Sequence, residues 1–119
     1  MPYVDGFLLP VPKKNLKAYT AMAKMGCKIW REYGALDYVE CVGDDLNVPW
    51  AQPFTKAVSL KPGETVVFSY IVYKNKTHRD AVNKKVMADP RMGQMMEGKK
   101  MPFDMKRMFC GGFKVIVKA

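Results

Sequence analysis

The spacing of apolar positions changes period along this chain, and each change marks an element. Tyr3 to Val11 is apolar on both alternating faces, with Val4 and Leu8 on one and Tyr3, Phe7 and Leu9 on the other. That pattern predicts a strand ended by Pro10 and Pro12. From about Lys13 or Lys14 to Tyr33 the period turns helical. Leu16, Tyr19, Thr20, Ala23, Cys27 and Trp30 fall on one narrow arc, opposite Lys13, Lys17, Lys24, Lys28 and Arg31. Met22, Ile29 and Tyr33 form a second apolar flank, which predicts contact with something besides a sheet, and Gly34 is a natural stop.

Leu36 to Val42 reads as a second strand, followed by a Gly43-Asp44-Asp45 turn and a long loop from Leu46 to Pro53. Phe54 to Leu60 is expected to rejoin the sheet briefly before a turn at Lys61-Pro62-Gly63. Glu64 to Tyr73 carries the strongest strand signal, being β-branched or aromatic at most positions. Thr77-His78-Arg79-Asp80 has the spacing of a capping box, so Thr77 is expected to open a second helix that Asp89-Pro90 breaks. Met92, Met95 and Met96 predict one further helical turn before Gly98. Lys99 to Lys106 reads as a basic loop and Arg107 to Lys118 as the closing strand, with Gly111-Gly112 a bulge or a point of close approach.

The order strand–helix–strand therefore occurs twice. It predicts an α+β chain, one domain over residues 1–119, with a single antiparallel sheet and two helices on one face. Two helices cover one side of a sheet whose strands are apolar on both. The uncovered side predicts a homodimer with sheet facing sheet.

Composition narrows the function classes. Apolar residues make up 49% of the chain and aromatic residues 12%, which suits a packed globule. No apolar run reaches the roughly 18 residues of a membrane span, and the first residues lack the pattern of a secretory signal. Cys27, Cys41 and Cys110 are an odd, widely spaced set that fits a reducing cytoplasm. The net charge of +9 raises the question of anionic partners. Only Arg31, Arg79, Arg91 and Arg107 are arginines, however, and the lysines fall mainly on the outer helical layer. No specific nucleic-acid partner and no membrane partner is expected.

No metal and no cofactor is expected either. There is one histidine, the cysteines are scattered, and a glycine-rich phosphate loop is missing from the sequence. Asp5 and Glu40 stand out because each interrupts an apolar strand, where an isolated charge costs several kcal/mol unless paired or hydrated. With His78 they are the candidate acid–base residues, and Tyr38 and Tyr70 the candidate substrate contacts. A salt bridge to Lys114, or a wet position near a strand end, is the competing reading of the carboxylates. All three cysteines are expected to be small buried thiols. Seven of the ten methionines lie between Met87 and Met108, where they serve as core, dimer packing or a flexible cover over a ligand.

Several strings together resemble a small bacterial family of unknown function in the dimeric α/β-barrel superfamily, alongside antibiotic-biosynthesis monooxygenases. They are Glu40-Cys41-Val42-x-Asp44-Asp45, Glu64-Thr65-Val66-Val67-Phe68-Ser69, His78-Arg79-Asp80-Ala81-Val82-Asn83, Val86-Met87-x-Asp89-Pro90-Arg91, Met101-Pro102-Phe103-Asp104, Lys106-Arg107-Met108 and Gly111-Gly112-Phe113. The chain departs from the family pattern at Tyr70, in place of Trp, and at Cys110, in place of an aromatic residue. The resemblance implies ferredoxin-like βαββαβ subunits whose sheets meet in a dimer, and it transfers no activity. Three functions follow in order of preference. The first is a cofactor-independent small-molecule enzyme or binder, the second a non-catalytic binding or regulatory protein, and the third a basic RNA- or DNA-binding protein.

Overall fold

The computed structural model describes residues 1–96 and 100–119. In chain order the elements are β1 (Tyr3–Pro12), α1 (Leu16–Glu32), β2 (Asp37–Val42), the single turn α2 (Phe54–Ala57), β3 (Glu64–Tyr73), α3 (Lys76–Ala88), α4 (Pro90–Met96) and β4 (Phe109–Lys114). The strands form one sheet in the order β2-β3-β1-β4, antiparallel at every pair. This is the α+β, ferredoxin-like βαββαβ arrangement, with α1 and α3 on one face.

Register decides what each face carries. Asp5 pairs with Ile71, Leu9 with Val67, Tyr38 with Ile71 and Glu40 with Ser69, so these side chains all point toward the helices. Two buried clusters fill the layer between. Ile29, Ala35, Ile71, Tyr73, Val82 and Val86 join the end of α1 to α3, and Leu9, Val11, Tyr19, Ala23 and Val67 lie under its start. Burying each large member stabilises the fold by roughly 1.5–3 kcal/mol. The opposite face carries Phe68, Phe109 and Phe113, all exposed, with Val4, Leu8, Tyr70 and Val72 half-buried beside them. Phe54, Phe68 and Tyr70 stand in a row with ring centres 6.5 and 6.1 Å apart.

Several expectations need correction. The inward stripe of α1 is Tyr19, Ala23, Gly26 and Ile29; Thr20 is exposed and donates to the Leu16 carbonyl, and Cys27 is only half-buried. Packing of Ile29 against Val82 and Val86 turns the helix toward the flank that also holds Met22. Phe54–Ala57 is a helical turn and not a strand. Its carbonyls are satisfied locally, Phe54 accepting the Val58 N–H and Thr55 the Leu60 N–H, and β2 already occupies the edge of β3. The cap of α3 is Asn75, not Thr77: its Oδ1 accepts the His78 N–H at 2.8 Å, a stronger cap placed two residues earlier.

Asp89-Pro90 does stop α3, but it also starts α4. Pro90 takes the first helical position and Asp89 Oδ1 accepts the Arg91 N–H at 2.8 Å. The expected stop at Gly98 and the start of the basic loop at Lys99 lie outside the described residues. β4 is shorter than expected because Arg107 is drawn into a turn (Met105–Arg107), where it binds Glu64 at 2.5 and 2.9 Å. Gly112 sits in regular register opposite Asp5, so Gly111-Gly112 marks close approach and not a bulge. A Cβ at position 112 would lie 2.7 Å from the Tyr3 ring. Cys41 and Cys110 are exposed where burial was expected, because β2 and β4 are the two edge strands. Among the described residues no helix is long and apolar enough to cross a membrane.

Candidate functional site

Between the sheet and the helices lies a cavity of about 500 Å³. Its walls are mostly apolar, and the methionines expected as a cover surround it: Met87, Met92, Met95, Met101, Met105 and Met108 all line the space. Both flagged carboxylates open onto it. From strand spacing and rise, their backbones stand roughly 12 Å apart. That is too far for two carboxyls to share a proton, so they address different ends of whatever occupies the space.

Asp5 is buried at one end, on the central strand. Arg79, one turn into α3, donates from Nη1 to Asp5 Oδ1 at 2.7 Å. Asn83, one turn further along the same helix face, donates from Nδ2 to Oδ2 at 3.3 Å. Asn83 Oδ1 in turn accepts the Tyr73 hydroxyl and the Trp30 indole N–H, both at 3.0 Å. Arg79 also bonds Asp80 and lies 4.9 Å over the Tyr3 ring. Burial, and then the Asp5 charge, push the Tyr73 hydroxyl well above its ordinary pKa. The competing reading offered the carboxylates a salt bridge to Lys114; Asp5 pairs with Arg79 instead.

Glu40 closes the other end. Tyr19 of α1 donates to Oε1 at 2.7 Å and Tyr38, two residues away on the same face of β2, donates to Oε2 at 2.8 Å. Gly26 makes room, since a Cβ there would come within 3.0 Å of the Tyr38 hydroxyl. Burial first, then the charge of Glu40, hold both phenols far above their ordinary pKa, so both remain neutral donors. An outer groove of about 280 Å³ between α1 and β2 shares Tyr19, Ala23, Tyr38 and Glu40 with the cavity. The Tyr–Glu–Tyr clamp thus faces two adjoining spaces.

The remaining candidates lie elsewhere. Tyr70 pairs with Gly6 and Val39 and points to the open face of the sheet. His78 sits in the first turn of α3, where its Nδ1 accepts the Lys74 N–H at 3.0 Å and its ring meets Tyr73 edge-on. Cys110 lines the cavity from β4, and partial burial followed by the Asp5 charge raises its thiol pKa. Among the described residues no three of His, Cys, Asp and Glu converge to hold a metal ion. Tyr19, Trp30, Arg79 and Asn83 were not singled out from sequence. The available signal was Arg79 and Asn83 four residues apart on the helix stripe that also carries Val82 and Val86.

Fold and cavity together define a ferredoxin-like α+β protein with a small-molecule-sized space under its helices. Residues 2–105 match the family described as protein of unknown function DUF1428, and the chain belongs to that family. It is 45% identical over 117 residues to the uncharacterised protein YbaA of Escherichia coli K12 and to that of Shigella flexneri, covering 98% of each chain. It is also similar to a crystal structure of a dimeric ferredoxin-like protein from an uncultured marine organism. There the TM-score is 0.56 at 11% identity, with both chains fully covered.

Proposed function

We propose that the protein is a cytoplasmic homodimer, sheet against sheet, whose subunits each bind one small, mostly apolar molecule beneath α1 and α3. The observation that carries the reading is the cavity itself: about 500 Å³ of unfilled space, apolar in its body, with a carboxylate at each end. A filled interior would have favoured a purely structural role. Glu40 is the group that meets the ligand, as hydrogen-bond acceptor or general base, with Tyr38 beside it. Asp5, paired with Arg79, holds the opposite wall. Tyr70 and His78 are not among the residues that line this cavity.

Support for the dimer comes from the exposed phenylalanines of the open face and from the dimeric assembly of the marine neighbour. The same aromatic face raises the RNA-binding alternative, because exposed rings on a four-stranded sheet can stack on bases. Against it, no lysine or arginine of the four strands lies on that face; Lys114 points to the helix side, opposite Tyr3. The strands themselves therefore bring no cation to the rings for a phosphate to meet.

Two measurements test the proposal. Sedimentation at micromolar concentration is expected to give a dimer that Phe68→Lys and Phe113→Lys together convert to monomer; a monomeric wild type overturns the assembly. Nile red, a neutral apolar dye, is expected to bind once per subunit and to lose most of its affinity in Ala23→Leu, which narrows the cavity. Unchanged binding in that variant overturns the ligand site.

A further inference from the structure

We propose that the cavity is an alkylammonium site, in which Glu40 receives a cationic nitrogen and the alkyl body lies among the methionines. This rests on the ligand-binding reading above and specifies its chemistry.

Charge makes the first argument. Among the described residues three charged side chains line the cavity: Asp5, Arg79 and Glu40. Asp5 and Arg79 neutralise each other at 2.7 Å. Glu40 is left with two neutral hydroxyls, and among the described residues no basic group lies within ion-pair distance of it. Over the described residues the lining of this cavity is therefore net negative inside a chain of charge +9, with Lys24 on the adjoining outer groove. Such a carboxylate favours a cation brought in from outside and disfavours an anion.

Ring and donor placement make the second. Tyr19, Tyr38, Trp30 and Phe103 all line the cavity with Glu40. Tyr19 and Phe103 meet edge to face at 5.6 Å, and Trp30 lies 6.0 Å from Tyr38. Aromatic rings gathered about a carboxylate are the recognised surroundings of a bound ammonium group. Most donors near Glu40 are already engaged: both phenols on Glu40, the Trp30 N–H on Asn83, and one Asn83 N–H on Asp5. Arg79 is held between Asp5 and Asp80. The thioethers of Met92, Met95 and Met108 offer an adaptable apolar bed for the tail.

Three probes with one tail, octylammonium, 1-octanol and octanoate, test this by calorimetric titration of the full chain at ~150 mM salt. Octylammonium is expected to bind about tenfold tighter than octanol, and octanoate more weakly than octanol. Glu40→Gln is expected to erase the ammonium advantage, bringing octylammonium down to the affinity of octanol. The ranking in the wild type needs no variant to fold. Octanoate binding as tightly as octylammonium, or a preference that survives Glu40→Gln, overturns the ammonium site and leaves the ligand cavity standing. If none of the three binds saturably, or if Ala23→Leu leaves all three unchanged, the cavity reading falls and the ammonium site with it.

Discussion

Two carboxylates stand at opposite ends of one cavity, and they are held in opposite ways. Asp5 meets a guanidinium and an amide that α3 presents four residues apart. Glu40 meets two phenols whose protons burial keeps in place. The first arrangement cancels the charge and ties a helix to the central strand. The second stabilises the charge with neutral donors and leaves it able to act on something else. What surrounds a carboxylate beneath the helices separates a structural group from a chemical one.

The sharpest way to break that contrast is to remove one cation. Arg79→Met strands a buried aspartate and is expected to lose about 3–5 kcal/mol of stability in urea unfolding. Glu40→Gln, which keeps shape and hydrogen-bonding capacity, is expected to lose only about 1 kcal/mol. If Glu40→Gln proves the more destabilising, the roles assigned to the two ends are reversed. Gly112→Ala comes next, at about 1–3 kcal/mol. Its methyl group would displace the Tyr3 ring from beneath Arg79 and loosen the Asp5 end, with octylammonium binding at the Glu40 end unchanged.

The smallest effect is spectroscopic. Tyr19 and Tyr38 have pKa values raised on folding, so the stability they lend is complete below the ordinary tyrosine value of 10 and is lost as pH rises beyond it. Ultraviolet titration is expected to show both ionising only as the protein unfolds in alkali. Glu40→Gln should move these two phenols down modestly, because burial, the larger cause, remains. Asp5→Asn should leave them in place and shift Tyr73. A shared response of all three to either variant would mean that the two ends are electrostatically one site.

Local signals explain what could be read from the chain. β3 announced itself through its β-branched and aromatic run, α1 through its period, and Asp5 and Glu40 through being charged in apolar strands. Their partners were hidden for a physical reason. Arg79 reaches Asp5 across 74 residues of sequence, and nothing in a helix's own pattern says which of its polar side chains faces a sheet. Tyr19 was visible, but as part of a packing stripe; its hydroxyl gains meaning only when β2 lies alongside. Phe54–Ala57 failed as a strand because its fate depended on an edge of β3 that β2 had already taken.

The place of β1 in the middle of the sheet also governs how the protein comes into being. It is synthesised first, yet both of its neighbours come much later: Tyr3 waits for Tyr73, and Phe7 for Cys110. During translation its apolar faces have no partner strand, while β2 can begin to dock on β3 across a much shorter span. A central strand built wholly from distant pairings makes folding slow and exposes the newborn chain to aggregation until β4 arrives.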